Sequence, residues 1–140
     1  MILVLFGQPR SGKSTIANEL KGMFMNIDWD RLRKIFKNND LLSNLNRASD
    51  IAAFIDASGL DVVLSLGYPY KEARDYLNSL SNDVYWVYLE YDDKDIRRHE
   101  VSPMDDFDYP GEDEKVLKIN TTKTSLTKCL SQIEDYINHL

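Results

Sequence analysis

GQPRSGKST, residues 7–15, carries the spacing G-x-x-x-x-G-K-[ST] from Gly7 to Ser14. Each residue type in that spacing has a physical job. Glycines let the backbone turn tightly and approach phosphate oxygens. Successive N–H groups then converge as an anion nest, at the positive end of the helix that follows. Lys13 is placed to reach the β- and γ-phosphates, and the Ser14 hydroxyl to ligate Mg²⁺, with Thr15 close behind. Gly7, Gln8, Pro9, Arg10, Ser11, Gly12, Lys13, Ser14 and Thr15 are therefore expected to bind ATP with Mg²⁺. A chance match in a turn is the bland alternative. The flanks argue against it, because a buried-type strand precedes the motif and an amphipathic helix follows.

Outward from the motif, strand and helix alternate. MILVLF is a continuous apolar run, as in a strand buried on both faces. Ile16, Leu20 and Phe24 sit four apart with Ala17 and Met23 alongside, one face of a helix. FMNID is a short second strand, and DRLRKIF is a helix opened by an aspartate. Leu41, Leu45, Ala48, Ile51, Ala52 and Ile55 mark a helix that Ser58-Gly59 stops. DVVLSL is a strand, KEARDYLNSL a helix, VYWVYL a strand and VLKIN the last strand. Leu126, Leu130, Ile133 and Ile137 mark a final helix. This order predicts an α/β fold of the P-loop NTPase type, three layers α/β/α around a parallel five-stranded sheet, with residues 1–140 as one domain.

Bulk properties narrow the function. A net charge of −6 does not suggest wholesale nucleic-acid binding. One cysteine excludes an internal disulfide and a cysteine-rich metal site. The six apolar residues before Gly7 are too short for a signal peptide or membrane span, so a cytoplasmic protein without a membrane partner is expected. A homodimer is compatible with the chain. No N-K-x-D guanine reader is present, and DVVLSLGY lacks the aspartate that ends the strand beside the P-loop in motor-type ATPases. The size fits a compact kinase that phosphorylates a small acceptor.

NIDWDRLRKIF supplies the acceptor side. Asp28 and Asp30 fall where a strand meets a helix, at the carboxyl edge of the sheet, where open α/β sheets bind ligands. A carboxylate there can take a hydroxyl proton or hold Mg²⁺ through water. Asp28 is the candidate metal partner beside Ser14, and Asp30 the base. Arg33, three residues past Asp30, could grip an acceptor anion. An ordinary helix N-cap by either aspartate is the alternative. Arg97 and Arg98 follow a short helix opened by DDKD. They are read as lid arginines that neutralise the transferred phosphoryl group, or as cations at a helix C-terminus. Residues 100–114, EVSPMDDFDYPGEDE, hold two prolines and seven acids. They read as an unpacked loop, a shortened lid that orders when both substrates bind, or a plain surface connection. Cys129 is read as a buried thiol; NTTKTS follows the last strand, a place that can hold the adenine, with a cap of the last helix by Thr122 or Thr124 as the simpler account.

Taken in order, GQPRSGKST, DWDRLR, NLNRASDIAAFIDASGL and LGYPYKEAR resemble the adenylylsulfate kinase family. Its pattern runs G-x-S-G-x-G-K-[ST]-T, D-G-D-N-x-R, N-x-R-R before a helix ending in A-G-L, then I-S-P-[YF]-x-x-x-R. The resemblance implies that Lys13, Asp28, Asp30 and Arg33 are catalytic. It implies an acceptor site of Asp30, Arg33, Asn44, Arg47, Pro69, Tyr70 and Lys71, with Arg74 completing the last motif. Trp29 and Arg31 replace a glycine and an asparagine, and Gly67-Tyr68 replaces Ile-Ser. The family's basic lid, K-G-L-Y-x-[KR]-A-R, is absent. The implied activity transfers the ATP γ-phosphate to the 3′-hydroxyl of adenosine 5′-phosphosulfate, a small nucleotide acceptor. The alternatives are a kinase of polynucleotide or nucleoside 5′-hydroxyls, the one reading with a nucleic-acid partner, or a non-catalytic ATP-binding regulator.

Overall fold

The computed structural model describes residues 1–95, 98 and 103–138. Five strands form one parallel sheet: β1 (Ile2–Phe6), β2 (Met25–Asp28), β3 (Val62–Gly67), β4 (Val84–Glu90) and β5 (Val116–Asn120). Their spatial order is β2-β3-β1-β4-β5, so the strand that leads into the P-loop lies at the centre. Every residue of β1 is fully buried, which is why MILVLF reads as an unbroken apolar run.

Side-chain alternation divides the core in two. Ile2, Val4 and Phe6 point into one cluster with Leu45, Ala48, Leu64, Leu77 and Trp86. That layer is built by α2 (Trp29–Ile35), α3 (Leu41–Ala57) and α4 (Lys71–Leu80). Leu3 and Leu5 point the other way, into a cluster with Ile16, Val63, Leu89, Ile119 and Ile133. The layer there is α1 (Lys13–Glu19) and α5 (Leu126–Asn138). The α/β/α sandwich expected from the alternating pattern is the observed fold. Among the described residues no helix is long and apolar enough to cross a membrane.

Local boundaries differ where caps decide them. The first helix stops at Glu19, and a turn then carries Phe24 into the core while Met23 stays exposed. Asp28 is the N-cap of α2, so that helix starts at Trp29, one residue before the DRLRKIF reading. Residues 92–95, which DDKD marks as the opening of a short helix, make a turn closed by the Asp95 N–H donating to Asp92 O at 2.9 Å; of the residues that follow only Arg98 is described, and its N–H donates to Asp95 O at 3.0 Å. α5 is capped by Ser125, whose Oγ accepts from the Lys128 N–H at 3.3 Å, rather than by Thr122 or Thr124.

Candidate active site

The P-loop leaves the buried end of β1 and crosses the neighbouring strands. The Gly7 N–H donates to Gly67 O at 3.1 Å, tying it to the end of β3. On its other side the crossing over β4 is so close that a Cβ on Gly7 would lie 2.3 Å from Leu89 O. Gly7, at φ +147°, therefore admits no side chain. Gly12, at φ +108°, is the N-cap of α1 and offers no side-chain acceptor, so the first N–H groups of that helix are left for a ligand. Lys13 Nζ curls back under the loop, donating to Gly7 O at 3.0 Å, Gln8 O at 2.8 Å and Ser11 Oγ at 3.4 Å. Burial of that ammonium lowers its pKa to about 8. The lysine of the motif is thus a desolvated cation inside a ring of its own carbonyls.

Beside the loop lies a cavity of about 540 Å³, lined by Arg10, Lys13, Ser14, Thr15, Thr121, Thr124, Leu126 and Cys129 among others. Its volume is that of a small-molecule site. Thr121, at the end of β5, donates to Ser11 O at 2.8 Å and packs against Gly12. The sequence marks NTTKTS, just past a strand's carboxyl end, but singles out Thr122 and Thr124 there rather than Thr121. Arg98 also reaches this cavity, but its guanidinium is committed to protein partners. Nη1 donates to Arg10 O and to Thr121 Oγ1, both at 2.9 Å, and Nε lies 3.5 Å from Asp95 Oδ2. Arg97 lies outside the described residues. Cys129 is buried as expected, and burial pushes its thiol pKa up.

On the acceptor side, the aspartates separate. Asp28 ends β2, in register with Ser65 of β3, and its Oδ1 accepts from the Arg31 N–H at 2.9 Å. The Ser65 hydroxyl is buried with no hydrogen-bond partner, on the face of β3 that Val63 turns toward α1. Asp30 stands out on α2 with its side chain 81% exposed, 3.7 Å from the 64% exposed Arg33. Asn44 is buried in α3 and donates to Asn38 O at 3.1 Å, its own Oδ1 unpaired. Arg47 lies over the Phe36 ring at 5.8 Å. Lys71 instead pairs with Asp75 along α4 and lines a second cavity with Asn78 and Trp86, so it is not brought to the P-loop.

The acidic stretch holds a surprise. Residues 103–114 contain no regular element longer than a turn, yet they are packed. Phe107 is buried in the core. Gln8 of the P-loop grips Met104 at both ends of its amide side chain, accepting from the Met104 N–H at 2.7 Å and donating to Met104 O at 3.0 Å. It also donates to Tyr109 Oη at 2.9 Å. Arg74, 1% exposed, forms a two-pronged pair with Glu114 at 2.9 and 3.2 Å and donates to Tyr68 O and Asp108 O. Pro69 O accepts from the Asp108 N–H at 2.7 Å, and Tyr70 Oη donates to Asp106 at 3.0 Å. The segment is a largely exposed loop, as read, but it is anchored rather than unpacked: Phe107 is buried, and Asp106, Asp108 and Glu114 find partners in Tyr70, the Lys71 N–H and Arg74 that sequence spacing does not reveal.

No protein-family model matches the chain. Adenylyl-sulfate kinase of Clostridium kluyveri is 26% identical, over 98% of this chain and 83% of that protein. The Staphylococcus carnosus adenylyl-sulfate kinase is 25% identical with the same coverage. The chain is a P-loop kinase similar to adenylyl-sulfate kinase. Among solved structures, the kinase superposes on the Mycobacterium tuberculosis APS kinase in complex with AMPPNP and APS with a TM-score of 0.74, at 18% identity, covering 98% of this chain and 96% of that one. A gluconokinase from Sinorhizobium meliloti gives 0.71 at 16% identity, covering 98% and 91%. These structural likenesses establish the kinase's fold. Its nearly full-length likeness to two curated enzymes extends beyond the generic P-loop.

Proposed function

We propose that this kinase transfers the γ-phosphate of ATP to the 3′-hydroxyl of adenosine 5′-phosphosulfate. The observation that carries the reading is its similarity, over 98% of the chain, to two adenylyl-sulfate kinases, combined with an intact P-loop beside a cavity of about 540 Å³. ATP is placed with its phosphates over residues 7–15 and its nucleoside toward Thr121, Thr124 and Leu126. Lys13 exchanges the Gly7 and Gln8 carbonyls for phosphate oxygens, and the uncapped first turn of α1 faces the same charge. One domain, residues 1–140, holds both substrates. We place the activity in the cytoplasm, as a monomer or homodimer.

Among the described residues no three acidic, histidine or cysteine side chains cluster as a metal cage. A kinase Mg²⁺ site does not need one, because phosphates and water supply most ligands. The residues present fit that pattern. Ser14 offers a hydroxyl, Asp28 a carboxylate at the sheet edge, and Ser65 a buried hydroxyl without a partner. Held there, the ion would neutralise charge on the phosphates. For the acceptor, Arg33 and Arg47 are the cations assigned to its anion, with Asn44, Pro69 and Tyr70 lining its approach. The hydroxyl proton passes to a carboxylate at the β2–α2 corner, Asp30 or the more sheltered Asp28. Lys71 serves α4 and Asp75 instead.

The test is a panel of acceptors with labelled ATP. Transfer to adenosine 5′-phosphosulfate is the expected result. Transfer only to a 5′-hydroxyl oligonucleotide or nucleoside overturns the acceptor and keeps the kinase; the acidic residue and arginine after β2, Asp30 and Arg33, are the observation that favours this second reading.

A further inference from the structure

We propose that Thr121 is a positioning residue for the phosphates of ATP: its hydroxyl holds the Ser11–Gly12 peptide of the P-loop in the orientation that turns the Gly12 N–H toward them. The proposal rests on the ATP-dependent reading above and deepens it, because a residue far outside the motif then sets the polarity of the phosphate nest.

Gly12 creates the need for such a latch. It sits at φ +108°, a conformation that favours glycine. Rotating the Ser11–Gly12 peptide by about half a turn would bring Gly12 to a negative φ, and glycine takes either sign about equally well. The two orientations are chemically opposite. A planar trans peptide points its C=O and its N–H in opposite directions. In one orientation an N–H faces the phosphates; in the other a carbonyl oxygen meets them. The glycine that lets the loop turn therefore leaves the polarity of this peptide undecided.

Thr121 settles it from the end of β5. Its Oγ1 donates to Ser11 O at 2.8 Å, and its Cγ2 lies 3.4 Å from where a Gly12 Cβ would stand, so the side chain packs on the peptide itself. A hydroxyl has one proton, and a second acceptor, Glu90 O, lies 3.2 Å from Oγ1. Glu90 O already accepts from the Thr121 N–H at 2.8 Å, a bond just past the last β4–β5 pair that fixes where Thr121 stands. Arg98 Nη1 donates to Oγ1 at 2.9 Å and occupies one of its lone pairs, and the proton goes to the shorter contact, Ser11 O. The preceding peptide, Arg10–Ser11, is pinned at both ends: Arg10 O accepts from Arg98 Nη1 at 2.9 Å, and the Ser11 N–H donates to Gln8 O at 3.2 Å. The Ser11–Gly12 peptide is held at its carbonyl, and its N–H, turned away from Thr121, is a donor for a phosphate oxygen.

Two substitutions separate the hydrogen bond from the packing. Thr121→Val keeps the branched shape against Gly12 and removes the donor, so Ser11 O loses its partner and the peptide is free to invert. Thr121→Ser keeps the donor and removes the methyl. The rival account is direct contact with the nucleoside, because Thr121 also lines the cavity with Thr124 and Leu126. Inorganic tripolyphosphate discriminates between the two accounts. It carries the phosphates of ATP and no nucleoside, so its affinity reads the nest alone.

The experiment measures binding of ATP and of inorganic tripolyphosphate, both with Mg²⁺, by calorimetry on the wild type, Thr121→Val and Thr121→Ser. Thr121→Val should weaken both ligands by about tenfold to a hundredfold, the range for a hydrogen bond to a charged group. Thr121→Ser should stay within about threefold of wild type for both, since its hydroxyl restores the donor. In isotope-labelled wild type, the Gly12 amide proton should move downfield in NMR spectra on adding Mg²⁺ and tripolyphosphate, a reading that needs no variant to fold. Unchanged tripolyphosphate affinity in Thr121→Val overturns the inference, and a loss confined to ATP assigns Thr121 to the nucleoside instead. A Thr121→Ser protein as weak as Thr121→Val also overturns it, because packing is then the cause. So does a Gly12 amide that stays in place while tripolyphosphate binds. A wild type that binds neither ATP nor tripolyphosphate removes the nucleotide reading itself, an outcome separable from all of these.

Discussion

Lys13 is where side-chain chemistry and backbone geometry meet most directly. Sequence logic expects a poorly packed lysine that serves only phosphates; the structure turns it inward onto Gly7 O and Gln8 O. Its pKa, lowered by burial from 10.5 to about 8, sets two pH dependences. The folded chain binds fewer protons here than the unfolded chain between about pH 8 and 10.5. The penalty of burying the ammonium is therefore full below pH 8 and is relieved as pH rises through that window. Lys13→Ala should abolish phosphoryl transfer without lowering the melting temperature at pH 7. A mutant that transfers phosphate, or that fails to fold, would remove Lys13 from its role. Phosphate binding should stabilise the protonated form. Nucleotide affinity should then be flat below about pH 8 and fall by up to tenfold per pH unit above it, with proton uptake measurable by calorimetry in buffers of different ionisation enthalpy.

The two aspartates are also decided at the residue scale. If Asp30 takes the hydroxyl proton, Asp30→Asn should lower kcat by about two to four orders of magnitude while ATP affinity holds. Arg33→Ala should weaken acceptor affinity more than it slows chemistry. Full activity in Asp30→Asn would transfer the role to Asp28, which already caps α2 and is sheltered at the end of β2.

Among the elements, α4 and the 103–114 segment behave as one unit. The first turn of α4 has no cap of its own, and the Lys71 N–H instead donates to Asp108 Oδ2 at 3.1 Å. Arg74, one turn further along, is enclosed by Glu114, Asp108 O, Tyr68 O and the face of Phe6 at 5.2 Å. Removing one partner of such a pair strands the other. Arg74→Met should cost about 3–5 kcal/mol in urea unfolding, and adding Glu114→Gln should recover part of the loss. Burial raises the Glu114 pKa, but hydrogen bonds from Arg74 and the Gly111 N–H outweigh it, and the net shift is downward from 4.5. The pair's contribution is therefore present above the unfolded value of 4.5 and is lost as pH falls through the lower folded value. The stability difference between wild type and Arg74→Met/Glu114→Gln should narrow in melts run through that acidic range.

At the scale of the molecule, sheet order places the P-loop between two segments from distant parts of the chain. With β1 central, the loop can touch the end of β5 through Thr121 and Ser11, and the 103–114 segment through Gln8 and Met104. A nucleotide that reshapes the P-loop should therefore protect amides of residues 104–110 from hydrogen exchange before any acceptor binds. Gln8→Ala should abolish that remote protection and leave protection of residues 11–16 intact. Equal exchange at 104–110 with and without AMPPNP would show that the segment is a static wall.

The sequence by itself determined the layered α/β fold, because burying a parallel sheet on both faces demands unbroken apolar strands such as MILVLF and DVVLSL, and each crossover demands a helix. It also determined the P-loop, since the motif's chemistry is local: a glycine turn, a lysine and a hydroxyl within nine residues. What only the tertiary structure decided are the pairings across long stretches of chain. Gln8 meets Met104, Arg74 meets Glu114, and Arg98 and Thr121 brace Arg10 and Ser11. No local period encodes these contacts. They arise because parallel strands bring loops from distant parts of the chain to the same carboxyl edge, where buried polar groups must find partners wherever the fold has put them.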